Sequence, residues 1–243
     1  MAVRWNGTVN STAPRTDVAP RTGAALPLRV ATWNLRQLKD DRAAVVDVLR
    51  ALDADVVAVQ EPPRGPAGRS RLRRLAQEAG LEVAVAGGGA RTTALLVRPG
   101  LPVHGARAHR LAWRPGRTRR GVAYAEVAGI RVVSVHLGLT EGERQRHLVR
   151  IGHLVRSTTS RGVVLAGDLN EEPGGPTRRA LGLHLRDATA TVGPTFPTRR
   201  PHRRLDAVLV GPGLATSGAR RVHDERVRAA SDHLPVVVDL ALP

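Results

Sequence analysis

Residues 162–170 read GVVLAGDLN, an apolar run from Gly162 to Gly167 that breaks off into Asp168, Leu169 and Asn170. No polar residue interrupts the run, as expected of a strand covered on both faces. A carboxylate and an amide directly beyond such a strand are costly to bury unless hydrogen-bonded, paired or bound to a cation. The arrangement recurs along the chain. Residues 55–60 (DVVAVQ) run into Glu61, residues 28–35 (LRVATWNL) carry Asn34, and residues 130–137 carry His136. Asp206 lies in the run 205–210, while Asp232 and His233 stand immediately before 235–240. Taken singly, each is an ordinary turn, cap or core residue. Together they put carboxylates, amides and imidazoles at the ends of buried strands.

The segments between these strands alternate in character. Residues 43–52 follow Asp40 and Asp41 with apolar positions at helical spacing, 69–79 form a second helix, and 141–158 an amphipathic third. Further strands are predicted at 81–86, 92–97 and 122–127, with Gly129 turning the last into 130–137, and one more near 222–227. Strands with interspersed helices and hairpins predict mixed α/β layers rather than a purely parallel sheet. A length of 243 residues suits one large domain. Residues 1–27, with Asn, Thr, Ser, Pro and Arg and no apolar run, read as a flexible leader and not as a signal peptide, which puts the domain at 28–243.

The chain has no cysteine, which removes disulfides, thiolate metal sites and cysteine nucleophiles together and fits a cytoplasmic protein. No stretch reaches the ~20 apolar residues of a membrane helix. Lys and Arg total 38 against 21 Asp and Glu, a net charge of +17, and Lys39 is the sole lysine. GC-rich coding accounts for arginine in place of lysine but not for the surplus of cations, which points to phosphate-rich polymers or anionic surfaces as partners. A hard, oxygen-liganded ion such as Mg²⁺ or Mn²⁺ suits the carboxylates, and His136 and His233 supply groups that exchange protons near neutral pH. Such a set suits metal-assisted hydrolysis of a phosphate ester.

The ordered series Thr32-Trp33-Asn34-Leu35, Gln60-Glu61, Ser134-Val135-His136-Leu137, Gly167-Asp168-Leu169-Asn170, Arg204-Leu205-Asp206 and Ser231-Asp232-His233-Leu234-Pro235 resembles the endonuclease/exonuclease/phosphatase superfamily. That group includes deoxyribonuclease I, exonuclease III, neutral sphingomyelinases and inositol-polyphosphate 5-phosphatases. The resemblance runs from about Leu28 to Leu240. It implies a four-layer αββα sandwich of the deoxyribonuclease I-like kind, with the active site at one edge. It also implies roles: Glu61 as main metal ligand, with Asn34 and Asp232 beside it, and Asp168 orienting or deprotonating the attacking water. Asn170 would hold a phosphate oxygen, and His233, oriented by Asp206, would stabilise phosphoryl oxygens or move a proton. His136 would contact the phosphate or assist the leaving group.

His136-Leu137 resembles the deoxyribonuclease I, sphingomyelinase and phosphatase branches, whereas exonuclease III-like abasic-site enzymes carry a tyrosine-centred motif there. Pro194-Thr195-Phe196-Pro197 followed by Arg204-Leu205-Asp206 is similar to small bacterial members. Aromatic content is only 2%, so arginine contacts to a backbone are expected to outweigh base stacking, with Trp113 and Phe196 as loop aromatics able to stack. The arginine clusters at 114–120 and 199–204 are expected near the active rim, and Arg120, Arg199 and Arg200 are the candidate substrate contacts. The cluster at 69–74 reads as a solvated helix face above inward Leu72 and Leu75. Nucleic acid is the favoured substrate on charge; an inositol phosphate or a phospholipid head group is the alternative. A catalytically dead scaffold would have lost the site residues, and here they are all present.

Overall fold

Two βαβ units organise the chain. Leu28–Asn34 (β1) and Val56–Gln60 (β2) run parallel and are joined by the helix Arg42–Leu52 (α1). Ile130–His136 (β7) and Gly162–Asp168 (β8) do the same through Glu141–Arg156 (α3). A tight turn cannot join parallel neighbours, so each pair needs its crossover helix. Asp41 starts α1 by accepting hydrogen bonds from the backbone of Ala43 and Ala44, and Glu143 closes the start of α3 by accepting from the Thr140 backbone and hydroxyl. The computed structural model describes residues 27–157 and 160–241; the leader expected at 1–27 thus lies, but for Pro27, outside the described residues.

Antiparallel strands extend each pair into a six-stranded sheet. The first sheet runs Ala215–Arg221 (β11), Val236–Ala241 (β12), β1, β2, Thr93–Val97 (β4) and Glu82–Ala86 (β3). The second runs Val103–Arg110 (β5), Gly121–Val127 (β6), β7, β8, Asp206–Val210 (β10) and Arg186–Asp187 (β9). The sheets pack face to face through Val30, Ala58, Leu95, Val132, Ala166 and Val208, all fully buried. Outside the first sheet lie α1, Gly68–Glu78 (α2) and Glu225–Ala230 (α5), anchored by Leu49, Leu72 and Val227. Outside the second lie α3 and Pro176–Gly182 (α4), anchored by Ile151 and Leu181. The order helix–sheet–sheet–helix is the expected αββα sandwich.

One predicted element is wrong. Residues 222–227 are not a strand: Asp224 accepts a 3.0 Å hydrogen bond from the Val227 backbone and caps α5. The strand lies earlier, at β11, where Ala, Thr, Ser, Gly and Arg supply no apolar run because the strand is an edge. The strand β5 was missed for the same reason, since most of its residues are exposed.

Gly167 shows how tightly the two central strands of the second sheet approach. A Cβ there would lie 1.9 Å from the carbonyl oxygen of Val135 on β7, one residue before His136. Relief would require β7 and β8 to separate beside Asp168. Gly167→Ala is therefore expected to destabilise the protein by about 1–3 kcal/mol or more, read as a lower melting temperature; an unchanged melt would show that the strands can yield.

Candidate active site

The site lies where the ends of the two parallel pairs meet. In register, Asn34 ends β1 opposite Gln60, and His136 ends β7 opposite Asp168. Glu61 follows at once, in left-handed backbone (φ 47°), and Asn170 adopts the same conformation (φ 49°). The antiparallel neighbours β10 and β12 begin at this same edge, which brings Asp206 opposite Asp168 and puts Asp232 and His233 just before β12.

Asp168 is the centre of the cluster and is 2% exposed. Its Oδ1 accepts from the Asn170 backbone at 2.9 Å, and its Oδ2 accepts from Asn34 Nδ2, across the seam between the sheets, at 3.3 Å. His136 Nε2 lies 3.4 Å from the same Oδ2 and His233 Nε2 lies 3.9 Å from it. Asn170 Nδ2 donates to the Leu137 carbonyl at 2.9 Å, which holds the loop after β8 onto the end of β7.

The two imidazoles are driven apart electrically. Burial would lower His233, but Asp206, whose Oδ2 is 2.9 Å from His233 Nδ1, overcomes it, and with Asp168 and Asp232 lifts the group to about 10. Burial, followed by the Arg120 cation, pushes His136 down to about 3 against the pull of Asp168. His233 is thus a cation at neutral pH and His136 a neutral ring, so the close approach of His136 to Asp168 is not an ion pair. Arg120 is itself buried, donates to the His136 carbonyl at 3.4 Å, and is lowered by that burial while Asp168 and Glu61 oppose it.

Residues to which the sequence assigned no role fix this geometry. Trp33 Nε1 donates to the His233 carbonyl at 2.9 Å, while Ser231 donates to the Asn34 carbonyl at 2.6 Å and accepts from the His233 backbone at 3.2 Å. The hydroxyl of Thr195 accepts from the backbone of Leu205 and Asp206, so the Thr195-Phe196 and Leu205-Asp206 segments hold each other. Arg178 donates to the carbonyls of Arg204 and Leu205, and Glu171 receives Arg144, Thr177 and the Arg178 backbone. No local pattern marks Glu171 and Arg178 in the sequence; only the fold shows that they tie the loop after β8 to the start of β10.

Two groups of donors could hold a metal ion. Asp168, Asp206 and His233 offer ligand atoms within 4.8 Å of one another among the described residues, and Asp206 Oδ1 is buried without a partner. The second group is the one expected from the sequence. Glu61 is half-buried, and among the described residues no hydrogen bond or ion pair reaches its carboxylate, which suits a hard divalent cation. Asn34 Oδ1 accepts one bond, from the Arg36 backbone at 3.0 Å, and Asp232 is 3.3 Å from Arg36 Nε. Arg199 and Arg200 line a cavity of about 410 Å³ with Arg36, Asp40 and Asp232. The loop aromatics already have partners: Phe196 leans on the His233 ring at 4.8 Å, and Arg119 lies 4.3 Å from the Trp113 ring centre.

Residues 31–233 match the Endonuclease/Exonuclease/phosphatase family, a span that contains every residue of the cluster. The chain belongs to this family. Its fold is shared with the endonuclease/exonuclease/phosphatase from Bacteroides vulgatus, at a TM-score of 0.74 and 18% identity over 90% of this chain and 100% of that one. It is shared also with an AP endonuclease from Archaeoglobus fulgidus, at 0.70 and 21% identity over 88% of this chain and 100% of that one. Uncharacterized protein YbhP of Escherichia coli K12 is 30% identical over 139 residues, 52% of this chain and 54% of YbhP. The chain therefore spans about half the length of the curated relatives it matches. Membership of the endonuclease/exonuclease/phosphatase family supports phosphate-ester hydrolysis as the class of chemistry. No helix among the described residues is long and apolar enough to cross a membrane.

The Asp206–His233 pair makes stability depend on pH with a definite sign. A histidine raised above its ordinary value of about 6.5 contributes stability that is complete below that value and lost as pH rises through about 10. The destabilisation caused by Asp206→Asn should thus be largest near pH 6 and shrink as pH rises from about 6.5 to about 10. Thermal melts of both chains across that range check it; a pH-independent difference would mean that His233 is not held as a cation.

Proposed function

We propose that the protein is a Mg²⁺- or Mn²⁺-dependent phosphodiesterase acting by in-line attack of water, with a nucleic acid as the favoured substrate. The observation that carries this reading is the buried Asp168 carboxylate flanked by a cationic imidazole, His233, and a neutral one, His136. Glu61, with Asn34 and Asp232, would hold the divalent ion, which when bound neutralises charge on the phosphoryl oxygens. Asp168 orients the attacking water and takes its proton as the oxygen–phosphorus bond forms and the bond to the leaving oxygen breaks. His233 donates a hydrogen bond to a non-bridging phosphoryl oxygen, with Asp206 supporting its positive charge. Asn170 has a second amide hydrogen, beyond the one given to Leu137, for a phosphate oxygen. His136, neutral at any working pH, serves to fix Asp168, and Arg120 places a buried positive charge behind it.

A phosphatase acting on inositol phosphates, or a phospholipase, would use the same centre. Nucleic acid is favoured by the net charge of +17. The first experiment compares Mg²⁺-dependent hydrolysis of supercoiled plasmid, single-stranded RNA, inositol polyphosphates and sphingomyelin. Asp168→Ala and His233→Ala should each lower kcat by about 10²–10⁴-fold with the fold retained by circular dichroism; parent-like turnover in either would sink the assignment. Glu61→Gln should weaken Mg²⁺ binding, measured calorimetrically without substrate, by at least about tenfold. Unaltered binding would move the ion to Asp168, Asp206 and His233.

A further inference from the structure

A second cavity, of about 450 Å³, begins one residue after Glu61 and ends one residue before Arg120. It lies between the loop that follows β2, the start of α2, the turn at 86–91 and the loop before β6. Arg64, Arg69, Arg91 and Arg119 line it, and no carboxylate does. Among the described residues none of these four arginines forms an ion pair with an acid. The cavity beside Asp232 differs, because there Asp40 and Asp232 are part of the lining and Arg36 is paired with both. Cations gathered around one concave space without counter-charge repel one another and lower their energy by receiving an anion.

The local backbone supports that use. Arg69 does not simply stand out with the rest of its helix face: its side chain crosses Gly87, where a Cβ would lie 2.9 Å from Arg69 Cδ. Gly87 also has a φ of 72°, so a side chain is excluded twice over. The Nε of Arg91 is buried and has no acceptor, a condition rare in folded proteins unless something outside the chain meets the donor. Arg64 is close enough to the catalytic cluster to lower both Arg120 and His136 electrostatically. The rest of the lining is small or buried: glycines, Ala86 and Thr118, with Pro62, Pro63 and Leu72 exposing little of themselves.

We propose that this cavity is a second phosphate subsite, which receives a backbone phosphate of a nucleic-acid strand next to the phosphate held at Glu61 and Asp168. The arginine forks match phosphate oxygens, and the glycines of the lining leave room for the attached sugar to approach. The proposal rests on the phosphodiesterase reading for the place of the cleaved phosphate, but its test does not.

Binding of a labelled single strand of roughly twelve nucleotides is measured with the full chain in EDTA, across a range of salt. Arg69→Ala with Arg119→Ala should raise Kd about tenfold and lower the slope of log affinity against log salt by about 1.4, two contacts at roughly 0.7 each. Arg73→Ala with Arg74→Ala, on the exposed outer face of the same helix, should leave the slope nearly as it was. Equal effects from the two pairs would reduce the cavity to diffuse surface charge and overturn the proposal. So would a loss seen for inositol hexakisphosphate but not for the strand. A chain that binds through Arg69 and Arg119 yet cuts no phosphate ester keeps the subsite and loses the phosphodiesterase reading. A chain that cuts nucleic acid and binds it equally well as the double variant does the reverse.

Discussion

The carboxylate of Asp168 is buried where the two sheets meet, and a buried charge persists only where polar groups are brought to it. Those groups come from every direction: Asn34 from the first sheet, the Asn170 backbone from its own loop, His136 from the adjoining strand, and His233 from the loop before β12. Asn34 and His233 cannot reach Asp168 unless both sheets are formed and packed. Folding and assembly of the site are thereby one event. Trp33 illustrates the coupling, since a fully buried core ring also holds the carbonyl of His233.

The position of the cluster follows from strand direction. Each sheet contains one parallel pair, and both strands of such a pair deliver their carboxyl ends to the same edge. Asn34, Glu61, His136 and Asp168 are those four ends or their immediate continuations. The flanking strands β10 and β12 are antiparallel to the pairs, so they start where the pairs finish, and Asp206 and His233 arrive there from the opposite chain direction. Packing the sheets face to face then joins the two edges into one rim. Crevices outside the carboxyl ends of parallel strands are where open α/β sheets also bind ligands, and the same geometry operates here twice.

This arrangement explains which parts could be read from the sequence. Buried strands announce themselves by largely apolar runs, so β1, β2, β7, β8, β10 and β12 and the polar residues at their ends were legible. Edge strands are not. The residues of β11 alternate between exposed and half-buried, and those of β5 are largely exposed, so neither carries an apolar run; the apolar character of Val222 and Val227 drew the expected strand into the turn and helix that follow β11. Contacts across long separations were equally hidden. That Ser231 bonds to Asn34, or that Arg178 holds the carbonyls before Asp206, depends on which loops the sheets bring together, and no local pattern encodes it.

The arginine excess divides in the same way. One population is consumed by the scaffold: Arg29 and Arg98 share the carboxylates of Asp53, Asp55 and Asp239 at the base of β1, while Arg178 and Arg204 share Asp187. Burial lowers the most enclosed of these, Arg178, to about 10, still charged at neutral pH, and its guanidinium is taken up by Asp187 and the carbonyls of Arg204 and Leu205. The other population has no carboxylate to meet, and four of its members, Arg64, Arg69, Arg91 and Arg119, collect around the cavity beside Glu61. Composition counts the two alike, and clustering along the chain misassigns them, because Arg64, Arg69, Arg91 and Arg119 come from four separate segments. Arginines without a carboxylate partner, those of the cavity among them, exert the field toward solvent that an incoming polyanion could follow to the rim, so the number of arginines says less about the substrate than the number left unneutralised.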